Sequence, residues 1–299
     1  MGVQRISNLA LFSSTMRNIT NTQSSLFALQ DQISSGIRAK DFKGLNGQVE
    51  QFIGLEAQTR KLDMFQKNNT VLEARLQSAS QSVGAVIEVA DQIEDLIVLK
   101  RSAVTSENLS FKLQLQNKIR AVADALNVSS EGRYLFGGTR TDTKPVPEAL
   151  VSNISPGVPD TGYYVGSNES VVNRLDESLE VEFPARGDDI AFQKVFAAVN
   201  LALEGDNSDA SMAKAVRLIQ EAQLALNGVQ SRFNSTIINV QEINNRNEQQ
   251  SLYIKGVTEQ VAKTDVVAAT TKMANDQATL QASYQVFARL IQLKLSDYL

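Results

Sequence analysis

The sequence has 299 residues, of which 29 are basic and 33 acidic, giving a formal net charge of −4. This balance provides no basic surface for nucleic acid and no polybasic segment for an acidic membrane, and no apolar run is long enough to insert in a membrane. The absence of Cys, His and Trp excludes a thiolate nucleophile, an imidazole base and the usual zinc ligands, so that only enzymes using carboxylates or lysine stay open. We expect no cofactor and no metal.

The first predicted element is a helix that ends near residue 36. Its apolar residues recur at steps of three, four or seven: Met16, Ile19, Leu26, Ile33 and Ile37. Gln23 and Gln30 occupy further positions of the same stripe. Gly36 ends the pattern, and Gly44 and Gly47 mark a loop, so residues 1–44 are predicted as one N-terminal segment.

A second, longer helical pattern predicts one half of a helix bundle in residues 45–131. Its stripe comprises Leu62, Phe65, Leu72, Leu76, Ala79, Val83, Val86, Ala90 and Ile93, and then Leu109, Leu113, Val122 and Leu126. The spacing is that of an amphipathic helix whose apolar side faces a core.

The middle of the chain is predicted to be a small β-rich domain spanning residues 132–187. All five prolines, at 145, 147, 156, 159 and 184, lie in this part of the sequence, and proline is excluded from helix interiors. The stretches 134–136, 163–165 and 179–183 have the composition of short strands. Gly137-Gly138 is interpreted as a tight turn, because no lysine and no helix start follow at the spacing of a phosphate-binding loop.

Residues 188–256 are predicted to supply the second half of the bundle. Asp188 or Asp189 precedes an apolar helical stripe that ends at Gly205, so helix capping is favoured over a catalytic acid pair, and the same holds for Asp206. Another helix is predicted from Ser208, with bends at the glycines 228 and 256. The polar run 244–247 is predicted to be a solvated face.

The last segment, residues 257–299, has a heptad pattern. One row is Val266, Met273, Leu280 and Phe287, and the second row is Thr270, Gln277, Tyr284, Ile291 and Tyr298. Rows alternating at steps of four and three predict a narrow coiled-coil seam. The whole fold is therefore predicted to be mainly α with a small β-rich insertion, an elongated bundle of long helices from both chain ends. The pattern does not decide between a bundle that folds back on itself and helices that become ordered on assembly.

Three motifs resemble the flagellin superfamily. Arg5-Ile6-Ser7, followed by a helix ending in Gln32-Ile33-Ser34-Ser35-Gly36-Ile37-Arg38, resembles its N-terminal signature. Residues 131–138 (EGRYLFGG), followed by Thr141-Asp142-Thr143 and Pro145, are similar to the hook-associated protein 3 branch, where this stretch leads to the outer domain. The C-terminal run 282–299 is similar to that branch too. Residues 39–47 contain Asp41 but lack the Asp-Asp-Pro-like turn common in the family.

The resemblance implies a non-enzymatic structural subunit of the extracellular flagellum. Such proteins leave the cell unfolded through the flagellar export apparatus without a cleaved signal and form a ring-like junction between hook-associated protein 1 and flagellin. An export chaperone masks their C-terminal helix. We expect N-terminal assembly contacts at Ile6, Met16, Ile19, Leu26, Ile33, Gly36 and Arg38, and C-terminal assembly and chaperone contacts at Val266, Met273, Leu280, Tyr284, Phe287, Ile291 and Tyr298. The domain exit is expected at Arg133, Tyr134, Phe136, Gly137 and Gly138.

Three other functions stay open at this point. A filament flagellin would share the terminal helices but form the whole filament. A cytosolic coiled-coil scaffold would have stably folded termini and would not be exported. An enzyme using carboxylates would need a convergent acid pair, and the sequence shows none.

Overall fold

The computed structural model describes residues 2–37, 49–102, 108–151, 154–206 and 208–296, with the side chains of residues 2–9, 108, 290 and 292–296 excepted. The helices are α1 Gly2–Ser35, α2 Val49–Ser102, α3 Asn108–Leu126, α4 Glu148–Val151, α5 Ile190–Glu204, α6 Asp209–Ala262 and α7 Val266–Ser296. The strands are β1 Ser129–Ser130, β2 Arg133–Tyr134, β3 Val172–Arg174 and β4 Glu180–Glu182. The predicted mainly α fold with a small β insertion is confirmed. Among the described residues, no helix is both long enough and apolar enough to cross a membrane.

The chain divides into two compact units. The terminal unit contains residues Met1–Arg60 and Ser251–Leu299, and the central unit contains Lys61–Gln250. The five segments predicted from the sequence have other boundaries and stay a prediction.

The central unit holds a continuous apolar core. The predicted stripe of α2 is buried there from Phe65 to Ile93, and helix α5 is buried on nearly every side. Asp189 caps α5, because its carboxylate accepts a hydrogen bond from the N–H of Ala191 at 3.0 Å, and Gly205 ends the helix as predicted. Asp189 is one of the residues at which capping was favoured over catalysis.

Two small antiparallel hairpins make up the β structure. β1 pairs with β2 across a turn at Glu131 and Gly132, whose φ angles are 52° and 76°. β3 pairs with β4, which confirms a strand within the predicted stretch 179–183. The strand predicted at 163–165 is wrong: Tyr163 lies in a turn, with its ring fully buried. Prolines and glycines on both sides of this tyrosine interrupt any ladder that it could join.

Helix α6 contradicts one expectation. The stretch 244–247 is not wholly solvated, since Asn247 is only 4% exposed. The helix continues through the glycines at 228 and 256, and the chain leaves it only at Lys263–Asp265; the bends at these glycines stay a prediction. A single glycine costs a helix only about 1 kcal/mol, which packing can offset along so long an element.

Candidate assembly site

The terminal unit is built around an antiparallel pair of helices, α1 and α7, from opposite ends of the sequence. Their Cα atoms approach within 8 Å along the pair, and the rings of Phe12 and Phe287 meet with centroids 5.0 Å apart. We call α1 and α7 the terminal helix pair.

The seam of α1 follows a regular heptad. Its two rows alternate at steps of three and four, and every member is buried or half-buried: Phe12, Thr15, Ile19, Thr22, Leu26, Leu29, Ile33 and Gly36. Ile19, Leu26 and Ile33 were predicted from their spacing. Met16 and Ile37 were assigned to the same stripe, but they are 50% and 45% exposed. Leu29, at 5% exposure, was missed because the predicted stripe did not include its row of the heptad.

The seam of α7 agrees with one predicted row and not with the other. Met273, Leu280 and Phe287 are half-buried, as their row predicted, but Val266 is 47% exposed. The second row of the seam consists of Ala269, Asp276 and Ser283, one residue before the predicted Thr270, Gln277 and Tyr284. The predicted row, with Ile291, is exposed at the edge of the seam.

Two hydrogen bonds join the terminal helix pair on opposite sides of the seam. The Gln23 amide donates to the Tyr284 hydroxyl at 2.7 Å, and the Ser25 hydroxyl donates to the Asp276 carboxylate at 2.7 Å. At about 100° per residue, Gln23 and Ser25 flank the apolar row of α1 from its two sides. The pair is thus held by a thin apolar seam with a polar contact at each edge.

At the end of α1, four residues form a backbone contact that we call the clamp: Gly36, Ile37, Lys263 and Thr264. Gly36 adopts a positive φ of 71°, which favours glycine. The N–H of Thr264 donates to the Gly36 carbonyl at 3.0 Å, and Ile37 and Lys263 form an antiparallel bridge. The clamp connects the end of α1 to the break between α6 and α7.

In the central unit, the predicted domain exit is anchored by Phe136. This side chain is fully buried and contacts the rings of Phe192 and Phe233 at centroid distances of 5.9 and 6.3 Å. Its carbonyl accepts a hydrogen bond from the N–H of Gly187 at 2.8 Å. Arg133 is exposed and Tyr134 only half-buried, so the anchoring predicted for this stretch falls chiefly on Phe136.

Gly137 and Gly138 make the tight turn that the sequence predicted. Gly138 has a positive φ of 63°, and a Cβ there would collide with the carbonyl oxygens of Ser167 and Glu169. A Cβ at Gly137 would collide with the carbonyl of Arg140. Both positions therefore require glycine for the backbone to pass this closely.

A pair of tyrosines beneath this turn was not recognised from the sequence as part of the domain exit. The Tyr163 hydroxyl donates to the Gly187 carbonyl at 2.8 Å, and the Tyr164 hydroxyl lies 2.9 Å from the Ser167 carbonyl. Burial, and then the nearby Asp188 carboxylate, raise the pKa of Tyr164 to about 12. The same two causes raise the pKa of Tyr163 well above its ordinary value. Both phenols remain neutral donors that hold the turn.

The acidic groups of this region have structural partners. Asp188 accepts from Arg186 at 2.9 Å, and Asp189 accepts from Arg232 at 2.6 Å as well as capping α5. No group of three metal-ligating side chains occurs among the described residues.

Part of the chain matches the model of a known protein family. Residues 6–141 match the family model described as the bacterial flagellin N-terminal helical region. Over these residues, which are 136 of 299, the chain is similar to bacterial flagellins.

Two solved structures have a fold similar to that of this chain. A putative flagellar hook-associated protein from Vibrio parahaemolyticus superposes with a TM-score of 0.58 at 15% identity, covering 71% of this chain and 96% of its own. Bacillus cereus FlgL superposes with a TM-score of 0.57 at 15% identity, covering 69% of this chain and 98% of its own. At this identity the likeness concerns the fold. No curated protein sequence matches significantly.

The assembly residues predicted for this chain fall into three groups. Ile19, Leu26, Ile33, Met273, Leu280 and Phe287 contribute to the seam, together with the backbone of Gly36. Met16, Val266, Tyr284 and Ile291 are exposed outside it. Arg38 and Tyr298 lie outside the described residues, as does the unusual loop 39–47, and the side chain of Ile6 is not described. Their roles in assembly stay predictions.

Proposed function

We propose that this protein is a non-enzymatic structural subunit at the hook–filament junction of the flagellum, bound to hook-associated protein 1 on one side and to flagellin on the other. The observation that carries this proposal is the terminal helix pair, which joins the two chain ends through a thin seam and leaves large apolar side chains uncovered. The match of residues 6–141 to the flagellin N-terminal helical region, and the fold shared with a putative flagellar hook-associated protein, support the same assignment.

The uncovered side chains of the terminal helix pair include a group that we call the lateral face: Met16 and Phe27 on α1, with Tyr284 and Ile291 on α7. Their exposures are 50%, 73%, 46% and 46%. Met16, Gln23 and Phe27 share one flank of α1 at about 100° per residue, and the Gln23–Tyr284 hydrogen bond joins that flank to α7. The lateral face therefore exists only when the two helices are paired.

The size of the lateral face favours several weak contacts over one tight dimer. Given these exposures and ordinary side-chain areas, it presents roughly 400 Å² of apolar surface. A stable interface buries about 800 Å² on each partner, so this face alone does not complete one. A ring, in which each subunit has more than one neighbour, provides the remaining area.

The terminal helix pair also carries few charges. Seven of the 65 residues of α1 and α7 are charged, against 21% for the whole chain. The cores of protein interfaces are depleted of charged residues because charges are costly to desolvate. We infer that these helices fold and become buried together when the subunit joins its neighbours.

Coupled folding agrees with export of an unfolded chain. A thin seam with polar residues has little stability of its own, so both ends can remain unpaired until assembly. In the cell, an export chaperone is expected to cover the apolar positions of α7 before secretion.

The proposal is tested by immunogold electron microscopy of intact flagella in cells that express this protein, its Phe27→Asp variant or its Val267→Asp variant. We expect a narrow band of label where hook meets filament. Phe27→Asp should remove most of the band, because a charge enters the lateral face. Val267→Asp is the matched control, since Val267 is 76% exposed on the side of α7 away from α1.

Each other outcome excludes part of the proposal. Label along the whole filament would make the protein a filament flagellin, and label confined to the cytosol would make it a scaffold. A band that persists with Phe27→Asp would leave the junction role in place and remove the lateral face from it.

A further inference from the structure

The apolar seam of the terminal helix pair permits more than one register. Both helices repeat every seven residues, so a displacement of α1 along α7 by one heptad returns each large residue to a position of the same row. Ile19, which occupies the level of Leu280 in the observed register, would then meet Phe287. The displacement is about 10.5 Å at 1.5 Å per residue, and seam packing by itself discriminates weakly against it.

The polar contacts of the pair do not remove this ambiguity. Gln23 and Ser25, which bond Tyr284 and Asp276, are followed seven residues later by Gln30 and Gln32. After a one-heptad displacement, these two amides would take their places as hydrogen-bond donors. The repeat thus reproduces the polar edges of the pair as well as its apolar row.

The clamp has no such repeat. It depends on a glycine with a positive φ of 71° at the end of α1 and on the break between α6 and α7. These two features lie opposite each other at one position along the terminal helix pair. Thr264 is 6% exposed, and its N–H is satisfied by the Gly36 carbonyl at 3.0 Å. A displaced α1 would remove that carbonyl and leave a buried N–H without its acceptor, which is strongly unfavourable.

We propose that the clamp, through the Thr264 N–H and the Gly36 carbonyl, selects the register of the terminal helix pair. The pairing of the two helices rests on contacts within this chain, whereas the effect of the register on assembly rests on the proposed function. The lateral face aligns Met16 with Tyr284 in one register only. The clamp therefore determines whether a neighbouring subunit meets a complete lateral face. Gly36 and Thr264 are therefore positioning residues for assembly.

The absence of cysteine from the sequence allows a direct measurement of register. One double variant, Phe12→Cys with Phe287→Cys, reports the observed register, because these rings are 5.0 Å apart. A second, Ile19→Cys with Phe287→Cys, reports the displaced register. Each full-length chain is treated with a short bifunctional thiol reagent in sulfate, which favours burial of the seam, and intramolecular cross-linking is quantified.

Each reporter is combined with Thr264→Pro or with Thr264→Val. Proline removes the N–H and tolerates the extended backbone of the preceding Lys263. Valine keeps the N–H and removes a buried hydroxyl that has no hydrogen-bond partner, so it is the matched control. Circular dichroism shows whether each variant retains its helices.

In the parent and in Thr264→Val, we expect the 12/287 reporter to cross-link about tenfold more than the 19/287 reporter. Thr264→Pro should reduce this preference about tenfold at unchanged helix content, as expected for the loss of one buried hydrogen bond. An unchanged preference in Thr264→Pro would show that the helices hold the register themselves, and the proposal would be wrong. Loss of the preference in Thr264→Val would assign the effect to the hydroxyl and would also overturn it.

Absence of the 12/287 product in the parent would overturn the pairing itself. None of these results depends on where the protein lies in the flagellum. If the immunogold band is absent while the cross-links behave as expected, the junction role is wrong and the proposal about register is retained. If the band is present and the cross-links do not behave as expected, only the proposal about register is wrong.

Discussion

At the scale of single residues, Tyr163 and Tyr164 connect the turn at Gly137-Gly138 to the loop at Gly187. Their hydroxyls are hydrogen-bonded to backbone carbonyls, and only the neutral phenol can donate. Because the pKa of Tyr164 rises from 10.0 to about 12 on folding, the folded protein retains a proton that the unfolded chain loses above pH 10. Stability is then fully present below pH 10 and declines as the pH rises toward 12.

The variant Tyr164→Phe separates these effects. At neutral pH it should lose about 0.5–1.5 kcal/mol of unfolding free energy, because its hydrogen bond is removed. Between pH 10 and 12 its stability should fall less steeply than that of the parent, since one shifted phenol is gone. Urea unfolding at a series of pH values measures both. Tyr253→Phe, at a tyrosine that is 72% exposed, is the control, and an equal slope in all three proteins would contradict the role given to Tyr164.

Residue patterns predicted the domain exit only in part. Phe136 and the two glycines were identified from a motif, and their burial and close backbone contacts agree with anchoring. Tyr163 lies among residues with the composition of a strand, but its hydroxyl donates a hydrogen bond to the carbonyl of Gly187, 24 positions away. Contacts of this kind depend on how a loop folds back over the core, and local composition does not contain that information.

At the scale of elements, long amphipathic helices were the most predictable features, and the register of the α7 seam was less so. The predicted second row began at Thr270, whereas the observed row begins at Ala269. Tyr284 is larger than the preceding Ser283, and Gln277 is uncharged where the preceding Asp276 is acidic, so composition favours the predicted row. The path of α1 along α7 is a tertiary contact that the sequence pattern does not contain, and α1 covers the other row.

Paired substitutions test this row assignment. Ala269→Leu should destabilise the terminal helix pair by about 1–3 kcal/mol, because a large side chain enters a closely packed seam. Thr270→Leu, one position later, should be neutral or slightly stabilising, since the site is exposed and leucine favours helix. Protease susceptibility of α7 in sulfate reports the difference. Equal effects of the two variants would show that the seam is not packed closely on one row.

At the scale of the whole molecule, the two units differ in their cores. The apolar core of the central unit is one continuous cluster that extends in sequence from Leu72 to Ile243. In the described part of the terminal unit, the buried apolar side chains are Ile19, Leu29, Ile254 and Ala269. Since apolar burial is the main favourable term in folding, the terminal unit should be the first to lose its structure.

Limited proteolysis of the free protein examines this difference directly. We expect rapid removal of both chain ends and a resistant fragment close to residues 61–250, the span of the central unit, with cleavage following the equilibrium population of open chain. Mass spectrometry of the fragment identifies its ends, and urea unfolding should show the terminal transition well before the central one. In isolated flagella the same protease should leave the ends intact, because assembly covers them. Intact ends in the free protein, with cuts confined to residues 132–187, would show that the terminal helices are stable without neighbours, and coupled folding would then have to be abandoned.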